Sequence, residues 1–471
     1  MKNTEAEHPH RSPTIFIAAV VIAMAVTWVM LNYTDVPRAA AFMSGIFTIA
    51  TLLWATEALP FFATSLLIIG LEVVLLANPG GWSFLGESSA DTPGWREILS
   101  AAADPVLLLF FGGFLLARAA VNEGVDRALS SLLLGPFGGK PRGILLGVIL
   151  VTALFSMWMS NTATTAMMIT LVMAMCTQMP PGEPFRKTLV LAVPIAANIG
   201  GIGTPIASPP NAVAVGFLQK AGLQVSFVEW MVVAVPLMIG LLLFAWWVLW
   251  QFHPPANGDL RLIQRPQRLN RRGGFVVAVF SITVALWLTV AWHGIPAAIV
   301  ALLPAIAFTA TGIISRKDIN SLDWHILILI AGGITLGAGM QMTGLDATIA
   351  SWLPSSGGLW LLAALVLATL IAASFMSNTA AANLLLPIGI SAAMAGGSGG
   401  SPSPVQAALC IAMASSFAMV LPVSTPPNAI AYATGEFTSR DLARIGIFTS
   451  LVGAVLLITG SQAILRLWSL L

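Results

Sequence analysis

The chain has 471 residues, of which 57% are hydrophobic and only 8% are charged, and its formal net charge is +2. Soluble domains carry about 25% charged residues, so this composition excludes a soluble globular enzyme and indicates a polytopic helical membrane protein. The small net charge, with Lys and Arg spread over the loops, also argues against nucleic acid as a partner. Cys176 and Cys410 lie within apolar stretches, which predicts packing roles rather than a disulfide or a metal site.

Eleven apolar segments are long enough to cross a hydrocarbon core of about 30 Å. The first follows a short polar tail and is longer than the apolar core of a signal peptide, so we expect it to be retained. The predicted spans are Ile15–Tyr33, Ala39–Leu59, Phe61–Asn78, Pro105–Val121, Thr188–Phe217, Phe227–Phe252, Phe275–Trp292, Pro296–Ile314, His325–Met342, Val405–Thr434 and Arg444–Leu467.

Two further apolar segments, residues 143–178 and 358–396, each carry a polar tripeptide at the middle. Each arm of about 16 residues measures roughly 24 Å at 1.5 Å per residue, which is shorter than the hydrocarbon core. The first segment has Lys and Arg on both flanks and the second has none, as expected if they enter from the cytoplasmic and the outer face respectively. We therefore predict two re-entrant helical hairpins.

Eleven spans and two hairpins, with the N-terminus in the cytoplasm, place most of the 21 Lys and Arg residues on the inner side, in agreement with the positive-inside rule. We then expect the C-terminus to lie outside, in a multi-pass protein surrounded by membrane lipid. We predict an N-terminal tail with the first span (1–38), a first repeat (39–252), a cytoplasmic basic linker (253–274) and a second repeat (275–471).

Two rare strings occur twice along the chain, and the distance between the two copies is the same for both strings. Met-Ser-Asn-Thr-Ala begins at Met159 and at Met376, and Pro-Pro-Asn-Ala begins at Pro209 and at Pro426. This shared repeat offset indicates an internal duplication, and an odd number of full spans in each copy predicts that the second copy is inverted in the membrane. Inverted repeats with interrupted helices are typical of transporters. The alternative is that the strings only cap helix ends in a structural bundle.

The polar strings suit two kinds of ligand. The N–H groups at a new helix start favour an anion, whereas freed carbonyls with Ser and Asn oxygens favour a hard cation such as Na⁺. Proline lacks an N–H and moves the preceding residue out of helical geometry, so each Pro-Pro-Asn string should break the following span. No charged residue stands near the strings, which favours sodium over proton coupling. Several ionisable residues should lie at helix ends or near the interface, and the alternative for them is a proton relay: Glu57, Arg118, Glu123, Asp126, Arg127 and His293.

These paired strings, together with Thr-Glu-Ala-Leu-Pro at residues 56–60, resemble the divalent anion:sodium symporter family over nearly the whole chain. The resemblance implies an elevator-type homodimer of the bacterial inner membrane that carries a C4 dicarboxylate, citrate or sulfate. By position it implies the substrate contacts Ser160, Asn161, Thr162, Ser208, Pro209, Ser377, Asn378, Thr379, Thr425 and Pro426. It implies one sodium site at Ser156, Ser160, Asn161 and Ala207, and a second at Ala373, Asn378 and Ser424. Ala373 stands where the first half has Ser156, which breaks the symmetry of the second site.

We therefore expect a secondary transporter that couples Na⁺ to import of a small divalent anion, a C4 dicarboxylate such as succinate, by elevator-type alternating access. A sodium-independent dicarboxylate or tricarboxylate exchanger, or a sulfate transporter, is the alternative within the same class. A membrane-embedded enzyme has no support, because the sequence has no His-Glu-x-x-His string, no intramembrane Asp pair and no Ser with a nearby His. A channel would not need two hairpins to occlude it.

Overall fold

The computed structural model describes residues 13–82, 93–180, 182–252, 254–255, 269–352, 358–395 and 402–468. Within these ranges the chain is mainly helical and contains no strand. Nine of the described helical segments are long and apolar enough to cross a membrane. The chain is thus a multi-pass helical membrane protein, as its composition predicts, while the total of eleven spans stays a prediction because several spans are divided into shorter helices.

The first half of the chain contains the helices α1 to α11. They are α1 (Pro13–Tyr33), α2 (Arg38–Thr56), α3 (Phe61–Leu71), α4 (Trp95–Ala102), α5 (Val106–Asn122), α6 (Val125–Leu134), α7 (Pro141–Ser156), α8 (Asn161–Cys176), α9 (Pro184–Gly200), α10 (Pro209–Lys220) and α11 (Phe227–Phe252). A π-helical turn, Glu72–Leu76, continues α3, and a 3-10 turn, Gly135–Phe137, follows α6.

The second half contains the helices α12 to α23. They are α12 (Arg271–Leu288), α13 (Val290–His293), α14 (Ala297–Val300), α15 (Leu302–Ala310), α16 (Arg316–Asn320), α17 (Trp324–Thr343), α18 (Leu345–Ser351), α19 (Gly358–Phe375), α20 (Asn378–Ala395), α21 (Pro404–Ser415), α22 (Pro426–Tyr432) and α23 (Ser439–Trp468). Most of the predicted basic linker, and residue 396 at the end of the second predicted hairpin, lie outside the described residues.

Prolines determine where the broken helices resume. Helix α10 begins at Pro209 and helix α22 begins at Pro426, each after a loop that interrupts the preceding helix. Proline is favoured at the first helical position because its φ is already helical and its missing N–H needs no partner there. Ser208 and Thr425 precede these prolines in extended conformations, with φ of −144° and −140°, as the residue before proline requires. Both Pro-Pro-Asn strings therefore break their spans as predicted.

Each predicted hairpin is a pair of helices separated by a short turn. Helices α7 and α8 have 16 residues each, and α19 and α20 have 18 residues each, which corresponds to about 24 and 27 Å. The two helices of each pair contact each other. The arms α7 and α8 are shorter than a hydrocarbon core of about 30 Å, which agrees with a hairpin. Helices α19 and α20 are each among the helices long and apolar enough to cross a membrane, so the second hairpin stays a prediction.

The two halves pack into each other around the broken helices. Helix α8, which follows the first hairpin turn, contacts α22 of the second half, and α20, which follows the second turn, contacts α10 of the first half. Helix α9 also contacts α22. The second arm of each hairpin therefore lies beside the broken helix of the other half, which brings the four interruptions toward one region.

Two adjacent glycines let α17 pack closely between α3 and α20. A Cβ on Gly332 would overlap the side chain of Ser65 in α3, and a Cβ on Gly333 would overlap the amide of Asn383 in α20. Close-packed interiors leave no room for such overlaps, so larger residues would push these helices apart. The glycine pair at residues 112–113 of α5 is its counterpart in the first half.

Two short helices outside the predicted spans, α6 and α18, hold equivalent positions in the two halves. Each follows a long helix through a glycine in the left-handed region, Gly124 with φ of 66° and Gly344 with φ of 70°. These two glycines are separated by the same number of residues as the glycine pairs of α5 and α17. A side chain at such a φ is strained, so glycine is the residue that fits. The apolar periodicity gave no signal for either helix.

Candidate functional site

The serine of each Ser-Asn-Thr string caps the helix that follows it. The Ser160 side chain accepts a hydrogen bond from the N–H of Ala163 at 3.2 Å, and the Ser377 side chain accepts one from the N–H of Ala380 at 3.2 Å. A cap of this kind satisfies one of the free N–H groups at a helix start. The remaining N–H groups of α8 and α20 stay directed toward the hairpin turns, with the positive end of each helix dipole.

Three oxygen atoms converge behind the first hairpin turn. The Ser156 hydroxyl lies 2.6 Å from Oδ1 of Asn161 and 2.7 Å from the carbonyl oxygen of Ala197 in α9. Ser156 is fully buried. A hydroxyl carries one proton, so Ser156 donates to only one of these two oxygens at a time. The cluster thus presents more oxygen lone pairs than protons to its surroundings.

Gly201 leaves the space that the Asn161 amide occupies. A Cβ built on Gly201 would lie 2.6 Å from Oδ1 of Asn161 and would also overlap its Nδ2. Any other residue would displace the amide from the oxygen cluster, because these atoms are far inside van der Waals contact. The loop that breaks the first repeat and the turn of the first hairpin are therefore fitted to each other at this glycine.

The loop at residues 201–208 is buried throughout and is fixed by hydrogen bonds. The Thr204 hydroxyl donates to the carbonyl of Met157 in the hairpin turn. Nδ2 of Asn211, the asparagine of the first Pro-Pro-Asn string, donates to the carbonyls of Gly201 at 2.9 Å and Thr204 at 2.8 Å. The asparagine thus holds its own loop in place, and Ala207 is buried in that loop without being the backbone oxygen that contacts Ser156.

Asn428, the asparagine of the second Pro-Pro-Asn string, has the same role. Its Nδ2 donates to the carbonyl of Leu421 at 3.0 Å and to the hydroxyl of Ser424 at 3.3 Å. Leu421 is the counterpart of Thr204 at the repeat offset, so the two asparagines make equivalent contacts. The Ser424 hydroxyl also contacts the carbonyl of Ala418 at 2.6 Å. Unlike the first loop, this one is exposed at Val423, where 85% of the surface is accessible.

Asn198 connects the two halves at the broken helices. It lies near the end of α9, and its Nδ2 donates to Oδ1 of Asn428 at 3.0 Å and to the hydroxyl of Thr425 at 3.3 Å. All three residues are buried, with at most 2% exposure. The start of α22 in the second half is therefore fixed to the end of α9 in the first half by buried hydrogen bonds.

Four buried oxygen atoms in this region have no hydrogen-bond partner among the described residues: Ser208 Oγ, Asn378 Oδ1, Asn198 Oδ1 and Asn211 Oδ1. Thr425 uses its hydroxyl to cap α22, whereas Ser208, at the equivalent position, makes no such cap. A buried polar atom without a partner costs free energy. A set of them around helix starts and loops therefore makes this region the candidate binding site.

The remaining predicted site residues differ between the halves. Thr379 is buried, whereas Thr162, its counterpart, is exposed, and Pro426 is exposed while Pro209 is half-buried. Ala373 is fully buried in a small apolar cluster with Ala381 and Ala418. Alanine at position 373 provides no side-chain oxygen where the first half has the Ser156 hydroxyl. The structure therefore forms an oxygen cluster in the first half that these alanines do not reproduce in the second.

A cavity of about 870 Å³ leads to the first hairpin tip. Its wall includes Ser160, Thr170, Ala174, Arg118, Asp126 and Asp323.

Arg118 pairs with Asp318 of α16, with 2.8 Å between Nε and Oδ1. The Ser315 hydroxyl and N–H, together with Arg118, hold the pKa of Asp318 well below its usual range. Arg118 and Asp126, expected near the membrane interface, thus line this cavity.

The contacts of the site differ in how visible they are in the sequence. Asn211 and Asn428 belong to the repeated strings, so the sequence indicates that both matter. It does not predict that their side chains hydrogen-bond to the loops before them. Asn198 has Ser415 as its counterpart and belongs to no repeated string. The Ala197 carbonyl is a backbone atom, which no residue type can reveal. Both were missed because their roles depend on which helices meet.

Comparison with known proteins places these features in a family. A family model described as citrate transporter matches residues 51–409 and 287–469. An uncharacterized transporter of Haemophilus influenzae is 32% identical over 96% of both chains. A sodium-dependent dicarboxylate transporter, SdcS, of Staphylococcus aureus is 30% identical over 92% of this chain and 87% of its own length.

The crystal structure of the YdaH transporter of Alcanivorax borkumensis has a similar fold, with a TM-score of 0.56 at 16% identity, and covers 89% of this chain and 98% of its own. The family and the relatives are transporters rather than enzymes. The resemblance found in the sequence is confirmed, and this chain belongs to the citrate transporter family.

Proposed function

We propose that the chain is a secondary transporter that couples Na⁺ to the import of a small divalent anion, with a C4 dicarboxylate such as succinate as its substrate. The observation that carries the proposal is the junction of both halves at Asn198 and Asn428, surrounded by buried oxygens without partners among the described residues. The name of the Staphylococcus aureus relative, a sodium-dependent dicarboxylate transporter, supports the same substrate class and ion.

The substrate would bind between the two hairpin turns and the two loops. Free N–H groups at the starts of α8 and α20 provide positive potential for carboxylates without a basic side chain. The hydroxyls and amides at these turns then fix the orientation of the anion. The proposed contacts are Ser160, Asn161, Thr162, Ser208, Pro209, Ser377, Asn378, Thr379, Thr425 and Pro426.

The first sodium ion would bind at the oxygen cluster of Ser156 and Asn161. Na⁺ is a hard cation that binds hydroxyl, amide and carbonyl oxygens. The cluster supplies one of each, from Ser156, Asn161 and the backbone of Ala197. Ser160 and the carbonyl of Ala207 complete the proposed set. If the Asn161 amide is flipped so that Nδ2 faces Ser156, the amide donates a proton to the cluster and no ion is needed there. Sodium titration is therefore the deciding measurement.

Transport would follow from the inverted repeat. We propose that the hairpins and broken helices move as one body against the other helices of a homodimer, in the bacterial inner membrane with the N-terminus in the cytoplasm. The cavity at Ser160 then opens the site to one side of the membrane. Such alternating exposure at a repeat interface is how transporters of this kind avoid a continuous pore.

Sodium-independent anion exchange is the second candidate. It is favoured by the apolar cluster of Ala373, Ala381 and Ala418, which lies where a second sodium site would need a hydroxyl. In that case Asn378 and Ser424 would contribute to the substrate site and not to an ion site. Sulfate is the other divalent anion that hydroxyls and helix starts could accept.

Uptake into proteoliposomes tests the function directly. Radiolabelled succinate, citrate and sulfate are supplied with an inward Na⁺ gradient, or with Na⁺ replaced by choline and unlabelled anion inside. Succinate uptake that requires Na⁺ supports the symporter, whereas full counterflow in choline shows an exchanger. Asn161→Ala and Asn378→Ala should abolish uptake in either case, and normal transport by both variants would contradict the proposed site.

A further inference from the structure

Asp346 of α18 accepts a hydrogen bond from the second hairpin. The hydroxyl of Ser391, in the last turns of α20, donates to Oδ2 of Asp346 at 2.6 Å, and both residues are buried. Helices α18 and α20 pack against each other along this contact. A hydrogen bond to a carboxylate is stronger than one between neutral groups. The second hairpin is therefore held to the short helix beside it.

The first half contains an equivalent carboxylate, Asp126, that has no serine hydroxyl as a partner in the part of the chain that the structure describes. Asp126 is the second residue after Gly124, as Asp346 is the second residue after Gly344, so the two carboxylates hold equivalent positions. Asp126 is 3% exposed, and its Oδ1 has no hydrogen-bond partner among the described residues. One repeated geometry thus supplies a carboxylate bonded to the hairpin in one half and a carboxylate with one unsatisfied oxygen in the other.

The packing of the two short helices differs in the same way. Helix α18 packs on α20, the second arm of its hairpin, whereas α6 packs on α7, the first arm of its hairpin. The cavity occupies the space between α6 and α8, with Asp126 and Ala174 in its wall. Ala174 is the counterpart of Ser391 at the repeat offset, but it has no hydroxyl.

We propose that the Asp346–Ser391 pair positions the second hairpin in the state in which the cavity beside α8 is open. Passage to the opposite state separates this pair and brings α8 toward α6, where Ala174 offers Asp126 no hydroxyl. The pair therefore favours the cavity-open state. The opposite state has no equivalent hydrogen bond, because Ala174 has no hydroxyl. This inference rests on the proposed movement of the hairpins between two states.

The accessibility of a cysteine in the cavity wall reports the state. Thr170 is exposed on α8 and lines the cavity, so Thr170→Cys reacts with a soluble maleimide when the cavity is open. The native cysteines Cys176 and Cys410 are buried. In the full chain in lipid nanodiscs, Ser391→Ala should lower the open-to-closed ratio by about tenfold. Labelling should slow in proportion to the fraction of molecules that is open, while Ser391→Thr, which keeps the hydroxyl, should label at the original rate.

A second variant tests the empty counterpart. Ala174→Ser gives Asp126 the hydroxyl that Asp346 already has, so it should stabilise the closed state and also slow labelling. Ala166→Ser adds the same hydroxyl on the cavity-facing side two turns earlier, about 12 Å away, and should leave the rate unchanged. Combining Ser391→Ala with Ala174→Ser should slow labelling more than either change alone.

Unchanged labelling in Ser391→Ala, or faster labelling in Ala174→Ser, would overturn the proposed role of the pair. Because no substrate or ion enters this measurement, its result is independent of which anion is carried. If the wild-type chain takes up neither succinate, citrate nor sulfate into proteoliposomes, the proposed function is wrong, which is a separate outcome from failure of the pair.

Discussion

Nδ2 of Asn198 in the first half lies 3.0 Å from Oδ1 of Asn428 in the second half, deep in the protein. The contact is one-sided, because Ser415, the counterpart of Asn198, donates its hydroxyl to the carbonyl of Ala412 in its own helix. The end of α9 and the start of α22 are thus joined by an asymmetric bridge within an otherwise repeated arrangement. If both segments carry ligands, this bridge fixes the distance between them.

Asn198→Ala should therefore abolish or strongly reduce uptake of the transported anion. The change removes two donors from buried oxygens of Thr425 and Asn428, which should cost about 1–3 kcal/mol of stability. Thermal unfolding in detergent measures the stability, and initial uptake rates measure the function. Asn32→Ala is the control, since the Asn32 side chain is exposed and, among the described residues, donates to the carbonyl of Trp28 in its own helix. Equal uptake by both variants would show that the bridge is dispensable.

Ser156→Ala should raise the Na⁺ concentration for half-maximal uptake on the order of tenfold, the equivalent of about 1.4 kcal/mol. The change removes one oxygen from the cluster with Asn161 and Ala197 while leaving the substrate contacts in place. Competition by unlabelled anions should therefore keep the same order of preference. Thr152→Val is the matched control, because the Thr152 hydroxyl is equally buried but bonds within its own helix. An unchanged sodium titration for Ser156→Ala would remove the first ion site.

Gly201→Ala should eliminate sodium-dependent uptake although it adds a single methyl group. Its Cβ would need the space of the Asn161 amide, only 2.6 Å from Oδ1, so the amide must leave the cluster. Gly274→Ala provides the comparison, because a Cβ on Gly274 meets nothing within 4 Å and alanine favours a helix. Gly274→Ala should transport normally, and normal transport by Gly201→Ala as well would mean that Asn161 is not held where the structure places it.

The sequence predicted the interruptions because they have local causes. Pro209 and Pro426 each prevent the residue before them from being helical, and Ser160 and Ser377 cap the helices that follow them. Short strings are therefore sufficient to locate all four positions. The shared repeat offset then related them to each other.

Contacts between helices could not be predicted in the same way. The Ala197 carbonyl becomes a neighbour of Ser156 only through the packing of α9 on α7, and backbone oxygens are invisible to composition. Helices α6 and α18 are too short and too mixed in polarity to give a periodic signal. The sequence does not reveal the burial of Glu72, because this residue lies inside the apolar segment predicted as the span Phe61–Asn78.

Glu72 bears on the choice between sodium and proton coupling. It lies in the π-helical turn after α3, is fully buried, and neither carboxylate oxygen has a partner among the described residues. Its side chain faces α17, where a Cβ on Gly339 would lie 2.8 Å from Oε1. An ionisable residue within a membrane is a candidate for a coupling group, and π-helical turns often mark functional positions.

We expect Glu72→Gln to keep sodium-driven uptake within about twofold, because an unpaired buried charge is costly and glutamine preserves the size of the neutral acid. Uptake is measured under an Na⁺ gradient at equal pH, and then under a pH gradient without Na⁺. Glu57→Gln is the control, since Glu57 is exposed at the end of α2. If Glu72→Gln folds but loses uptake while Glu57→Gln retains it, and if a pH gradient alone drives the wild-type chain, then Glu72 carries a proton and sodium is not the coupling ion.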